Sequence, residues 1–281
     1  MAGEVEFTEK RGGIALAYRH ENAGARATGV LWLGGFNSDM AGAKAEAVAA
    51  AARKAGRPCL RFDYSGHGLS EGIFTERTVS DWLMEAQHAF EQIGRGPMVI
   101  AGSSMGGYLA LLLVRRLAAE RSRYLGRLGG LLLLAPAVDM TEALLWASLD
   151  EKARRAIEAE GEWLMPSRYG EGYRITRKLI EDGRQHLILK ERTKIDVPVR
   201  ILQGEADPDV PWRHALKVYE GLEGDDITFT LIKGGDHRLS SPRDISIIVE
   251  TVQALWLRAS PSERSVPRGM SDREADSQAL P

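Results

Sequence analysis

The sequence predicts an α/β fold, a mostly parallel central sheet flanked by helices and interrupted by one inserted cap. Three observations point there. Short apolar runs recur along the chain, at residues 29–33, 58–62, 97–101, 128–134, 199–203 and 227–232. Helical patterns separate most of them, the order that builds a parallel sheet covered on both faces. The third is Gly102-Ser103-Ser104-Met105-Gly106-Gly107, which follows one apolar run and leads into a helical one. Between a strand and a helix, G-x-S-x-G reads as a strained elbow that lifts a serine hydroxyl above the sheet. Its sharpness demands tiny neighbours, which Gly102 and Gly106 supply.

The elements follow in order. Residues 5–9 and 14–19 form a hairpin around Gly12-Gly13, and residues 29–33 a short apolar strand. An alanine-rich helix covers 41–55 and a strand 58–62. Ser80 opens a helix reaching Ile93, with Asp81 in the first turn, where an acid suits the helix dipole. The elbow strand and its helix come next, then a buried strand at 128–134 that Pro136 ends. The strands at 199–203 and 227–232 each lead into a helix, at 212–221 and 244–257.

Residues 139–194 break this rhythm. They combine a charged helical stretch at 150–161 with an apolar cluster of Leu144, Leu145, Trp146, Trp163, Leu164, Met165, Tyr169 and Tyr173. No strand of the sheet is obvious there. We read the segment as a helical cap, because sites in such sheets form at the carboxyl ends of strands. Trp146, Trp163, Leu164 and Met165 are then expected to face substrate; the alternative is that they only bury one another. One domain spans 1–259, and the Ser-, Pro- and charge-rich tail at 260–281 is expected to be disordered.

Composition narrows the setting. The chain has 281 residues, 44% hydrophobic and 27% charged, ordinary proportions for a globular protein. A net charge of −2 gives no reason to expect nucleic acid or an anionic membrane as partner. The single cysteine, Cys59, excludes an internal disulfide and lies in an apolar run, as a core thiol would. The first residues lack a basic n-region and an apolar h-region, and no run is long enough to span a bilayer. A cytoplasmic protein is expected.

A serine alcohol needs an adjacent base, and the base a carboxylate that fixes its tautomer. In this architecture the chain order is Ser, acid, His. Of His20, His67, His88, His186, His214 and His237, only the last two follow a plausible acid, and His214 reads as a helix residue. His237 sits in Gly234-Gly235-Asp236-His237-Arg238, directly after a strand. Asp207, just past the strand at 199–203, is the chosen acid; Glu205 and Asp209 nearby and Asp139 farther off compete with it, and Asp236, adjacent to the base, reads as a turn residue. Acyl transfer also needs donors for an oxyanion. The Met105 N–H is one and the Phe36 N–H, after Gly34-Gly35, the other; Asn37 and Ser38 are candidate helix caps. A catalytic role for His67, in the loop 63–70, is disfavoured because His237 is better placed. No cysteine–histidine cluster has zinc spacing, so neither a metal nor an organic cofactor is implied.

With these residues in hand, residues 14–257 resemble the α/β-hydrolase superfamily, in which the D-x-x-G-x-G-x-S loop of Asp63 to Ser70 recurs. Five segments are similar to the abhydrolase-domain-containing-ten group: 36–40, 61–66, 102–107, 163–169 and 210–212. The mitochondrial animal member of that group is a palmitoyl-protein thioesterase and mycophenolic acid acyl-glucuronide esterase. The resemblance implies Ser104, Asp207 and His237 as the triad. Richness in Ala, Arg and Gly suggests a bacterial relative.

The expected function is hydrolysis of a carboxylic ester or thioester, acting on a small-molecule or acylated substrate. Alternatives are a broad short-chain carboxylesterase or a non-catalytic binding protein of the same fold. A serine at the elbow argues against haloalkane dehalogenases, which carry Asp there, and dienelactone hydrolases, which carry Cys. A prolyl-oligopeptidase-like peptidase has no room for its propeller.

Overall fold

The computed structural model describes residues 3–10, 12–166 and 172–259. Along the chain come β1 (Glu6–Phe7), β2 (Ala17–Glu21), β3 (Gly29–Leu33), α1 (Ala43–Lys54), β4 (Cys59–Phe62), α2 (Val79–His88), β5 (Met98–Ser103), α3 (Met105–Ala119) and β6 (Leu128–Leu134). After an excursion described below come β10 (Val199–Gly204), α6 (Trp212–Gly221), β11 (Leu222–Glu223), β12 (Ile227–Ile232) and α7 (Pro242–Arg258). Eight strands form one sheet in the order β1-β2-β4-β3-β5-β6-β10-β12. Only the β1–β2 and β2–β4 pairings are antiparallel. The expected hairpin is therefore present, with shorter strands, and turns a parallel sheet antiparallel at one edge.

Burial explains the arrangement. Every residue of β3, β4, β5 and β6 is buried, as parallel strands covered on both faces require. One core layer packs α1 and α7 against the sheet through Val48, Ala49, Ile248, Val252 and Trp256. The other packs α2 and α3 through Trp82, Leu83, Leu109 and Leu113. Cys59 lies in the first layer with no exposed surface, as expected.

Helix starts deviate by local chemistry. The second helix opens at Thr78, whose hydroxyl accepts from the Asp81 N–H while Asp81 reaches back, a reciprocal capping box. Ser80 lies inside the helix and bonds elsewhere. A matching box, Ser241 with Asp244, starts α7. Asn37 and Ser38 do not cap α1, whose N-cap is Gly42; the Ser38 hydroxyl donates to the Gly35 carbonyl instead.

The excursion between β6 and β10 contains a π-helical segment (Met140–Trp146), α4 (Glu151–Glu160), β7 (Glu162–Met165), β8 (Tyr173–Thr176), α5 (Arg177–Gly183) and β9 (Thr193–Lys194). The cap is thus not purely helical: β7 and β8 pair antiparallel, Trp163 opposite Ile175 and Met165 opposite Tyr173. None of its strands joins the main sheet; β9 pairs with β11 on the way back. The two strands it separates, β6 and β10, are direct neighbours. Buried Asp139 ties the exit to the return, accepting from the Ile188 and Leu189 N–H groups at 2.8 and 2.9 Å. That employment answers its candidacy as the catalytic acid. Tyr169, part of segment 163–169 and the tail 260–281 lie outside the described residues.

Candidate active site

Ser104 joins β5 to α3 with φ 54° and ψ −114°. Its N–H donates to the Leu134 carbonyl at 2.8 Å and its carbonyl accepts from Gly107 and Ala137, so a left-handed residue is held from both sides. A methyl group added at Gly102 would overlap the Gly106 carbonyl oxygen, and one at Gly106 the Leu33 carbonyl oxygen. Backbone contacts this close cannot relax by a rotamer change. We expect Gly106→Ala to destabilise by about 3 kcal/mol or more, at the upper end for overpacking, measured by urea unfolding.

His237 and Asp207 meet this serine from the ends of two neighbouring strands. Asp207 follows β10 and His237 follows β12, and the two strands pair in register from Val199–Ile227 to Gly204–Ile232. The His237 Nε2 lies 3.1 Å from Ser104 Oγ and its Nδ1 2.8 Å from Asp207 Oδ2. Both ring nitrogens are therefore committed: Nδ1–H donates to the carboxylate and Nε2 accepts from the hydroxyl. Asp207 is itself held rigidly, its Oδ1 accepting from the Asp209 and Val210 N–H groups and its Oδ2 from the Gln203 amide.

The other nearby acids are engaged otherwise. Glu205 pairs with Lys233, and Asp236 accepts from the Leu239 N–H. Asp209 lies near the pair; Asp207, Asp209 and His237 offer atoms within 4.8 Å of one another. Both Asp207 oxygens already accept two hydrogen bonds, so this donor set does not suit a metal ion. Lys44 lies behind the His237 loop and donates to the Arg238 carbonyl. Burial pulls its ammonium down to about 8, against the opposing pull of Asp236.

Among the other histidines, the His214 Nε2 donates to the Val138 carbonyl from within α6. His186 meets Ser80 at 2.7 Å, and Asp182 approaches the same ring nitrogen at 3.8 Å. A relay needs the carboxylate on the opposite nitrogen, so this second Ser–His–Asp grouping stitches α5 to α2 and is not a triad.

A cavity of about 790 Å³ opens over Ser104 and His237. Its walls include Phe36 and Phe74 on one side and Met140, Leu144, Leu145, Met165 and Tyr173 from the cap. Thr75, Arg174 and Asp209 add polar groups. The volume is in the range of small-molecule sites. Among the described residues, Met165 lines it but Trp146, Trp163 and Leu164 do not, which corrects that expectation. Trp146 stands between the Arg154 and Arg184 guanidinium groups, 5.5 and 5.1 Å from its ring centre. Trp163 faces the Lys152 ammonium, and Leu164 points outward, 54% exposed. Aromatic rings on a charged cap surface find cations there. Leu144 and Leu145, one step earlier, supply the wall instead.

Phe36 and Asn37 also line this cavity. A methyl group at Gly35 would come within 3.5 Å of Ser104 Cβ, so the loop after β3 runs against the elbow.

A profile of the alpha/beta hydrolase family matches residues 24–246. The chain belongs to that family. Within it, the chain is 34% identical to the mitochondrial palmitoyl-protein thioesterase ABHD10 of Mus musculus, over 85% of this chain and 78% of that protein. The crystal structure of a hydrolase from Agrobacterium vitis superposes with a TM-score of 0.85 at 37% identity, covering 90% of this chain and 98% of that one. Alpha/beta hydrolase domain-containing protein 10 from mouse superposes with a TM-score of 0.80 at 31% identity, covering 92% and 100%.

Proposed function

We propose that the protein hydrolyses carboxylic esters or thioesters through an acyl-enzyme on Ser104. The observation that carries this reading is the unbroken pair of hydrogen bonds from Ser104 through His237 to Asp207. His237 takes the hydroxyl proton as Ser104 attacks the substrate carbonyl carbon. A tetrahedral oxyanion forms, and the Phe36 and Met105 N–H groups hold it. As the carbonyl re-forms, the bond to the alcohol or thiol breaks and His237 gives that group its proton. Water then enters, His237 deprotonates it, and the same steps in reverse order release the acid. Asp207 keeps the His237 tautomer and stabilises the imidazolium. No step requires a metal or organic cofactor.

The acyl chain, in this reading, occupies the wall of Met140, Leu144, Leu145 and Met165. Two features support a long one: these four apolar side chains, which the cap presents beside Ser148 and Arg174 to a 790 Å³ cavity, and a curated relative that carries the name of a palmitoyl-protein thioesterase. Assay of p-nitrophenyl esters from acetyl to palmitoyl, together with acyl-CoA and S-acyl peptides, tests it. Absence of turnover on all of them would overturn it. No described helix is long and apolar enough to cross a membrane. A cytoplasmic location stays our proposal beside a relative whose name says mitochondrial.

Met165→Ala and Leu145→Ala are expected to lower kcat/KM for palmitoyl relative to acetyl substrates by roughly tenfold, since each buried methylene contributes about 0.8 kcal/mol. Trp163→Ala, off the cavity, is expected to lower the melting temperature and leave that ratio unchanged.

A further inference from the structure

We infer that His67 is a positioning residue for the oxyanion hole: it grips the peptide next to the Phe36 donor through the Asn37 N–H. The inference rests on the acyl-enzyme reading above.

The hydrogen bonds of His67 leave its state no freedom. Its Nε2 lies 3.1 Å from the Asn37 backbone nitrogen. Its Nδ1 lies 3.2 Å from the Ser65 carbonyl oxygen. A backbone N–H only donates and a carbonyl only accepts. The ring is therefore neutral, with its proton on Nδ1 and a free lone pair on Nε2 aimed at Asn37. Burial supports this: His67 is 4% exposed, and loss of water pulls its imidazole down to about 4. The ring is thus a neutral acceptor at neutral pH. Protonated, the same ring would set an N–H against an N–H.

What His67 holds is a loop that needs holding. Asn37 has φ 54°, a left-handed conformation that asparagine tolerates but does not choose in an unrestrained chain. One residue earlier, Phe36 is gripped through its side chain, its ring 5.0 Å from Phe74, 5.8 Å from Trp82 and 5.3 Å from Tyr173. The rings of Phe74 and Trp82 also flank His67, at 5.2 and 5.3 Å. One aromatic nest therefore clamps both the donor residue and the group that fixes its neighbour. The loop 63–70 that carries His67 is tied to the sheet in turn. Asp63 accepts from the Met40 and Leu69 N–H groups, and Ser70 bridges the Asp63 carbonyl and the Ala17 N–H.

An oxyanion donor works only within a few tenths of an ångström of its place. Removing one outright costs about 10²–10³ in kcat, and a displacement of about 1 Å can cost about 10². Three variants separate the roles of the ring. His67→Phe keeps the aromatic packing and removes both nitrogens. His67→Asn keeps a polar atom near the Nδ1 position, facing Ser65. His67→Gln can present its amide oxygen near the Nε2 position, facing Asn37.

We expect Phe and Asn to lower kcat by about 10- to 100-fold with KM unchanged, and Gln to restore most of the loss. Inhibition by a trifluoromethyl ketone, whose adduct places an oxyanion in the hole, should weaken in proportion to kcat. Wild-type kcat in all three variants would overturn the inference. So would a loss that Gln shares fully, or one that appears in KM and melting temperature and leaves kcat alone. Should the Phe variant fail to fold, the Gln-against-Asn comparison decides. Ser104→Ala runs alongside. Turnover surviving in it would overturn the acyl-enzyme reading and the His67 role together. A dead Ser104→Ala beside an unimpaired His67→Phe would overturn the His67 role alone.

Discussion

Ser104→Ala is expected to abolish ester and thioester turnover, with a loss on the order of a million-fold in kcat, and to end labelling by a fluorophosphonate probe. The size follows from the connected geometry. In the proposed mechanism Ser104 Oγ forms the covalent bond, and the His237 Nε2 at 3.1 Å has no other hydroxyl among its described partners. Removing the hydroxyl leaves the base with nothing to deprotonate, so the losses of serine and base do not add. Alanine at a φ of 54° is little worse than serine there, since both carry one Cβ. The melting temperature should therefore stay near that of the parent. Residual turnover close to wild type, with a folded variant, would remove the elbow from the mechanism.

Asp207→Asn is expected to lower kcat by about ten-thousand-fold. An amide in place of the carboxylate can offer its own N–H toward His237 Nδ1. The ring would then hold its proton on Nε2, facing Ser104, where a lone pair is required. Asp207 also accepts from the Asp209 and Val210 N–H groups and from Gln203. Those contacts to its Oδ1 survive the substitution, so the fold should persist. Asp209→Asn provides the contrast. Its side chain lines the cavity but makes no hydrogen bond to His237 among those described, so a much smaller effect, confined to substrate preference, is expected. A reversal of the two, read from steady-state kinetics of both variants, would put the acid one turn position later.

How much of this was legible in the sequence depended on how local its cause was. The elbow is set by residues within a few positions of Ser104: an apolar strand, two glycines that no larger residue can replace, and a helix. Such a pattern can be read along the chain. The Asp207 and His237 loops were readable because each directly follows a strand of the sheet, and parallel strands deliver their ends to one side.

The cap was readable as an interruption but not in its content. Strands β7 and β8 are four residues each, mostly half-buried, with only Leu164 and Arg174 exposed, and no long apolar run marks them. Their pairing is decided by contacts across the hairpin and with the loop at Phe74, not by propensity. The tryptophans misled for a similar reason. Hydrophobicity predicts that Trp146 seeks cover but not which cover, and here the guanidinium groups of Arg154 and Arg184 lie over its ring. His67 was noticed and set aside as a base. Its partner Asn37 lies thirty positions away in sequence, and only the fold brings the two loops together.

The cap fills the crossover between two strands, β6 and β10, that pair directly with each other. Chain added at such a junction leaves the sheet ladder untouched, and the entropy of closing it grows only with the logarithm of its length. Doubling the insert raises that penalty by about 0.6 kcal/mol. Evolution can therefore lengthen, shorten or exchange this segment almost independently of the strands that deliver Ser104, Asp207 and His237. Relatives that share one catalytic floor are free to carry different ceilings, and a chimaera made by grafting residues 139–194 from one onto another should move the preferred acyl chain with the graft.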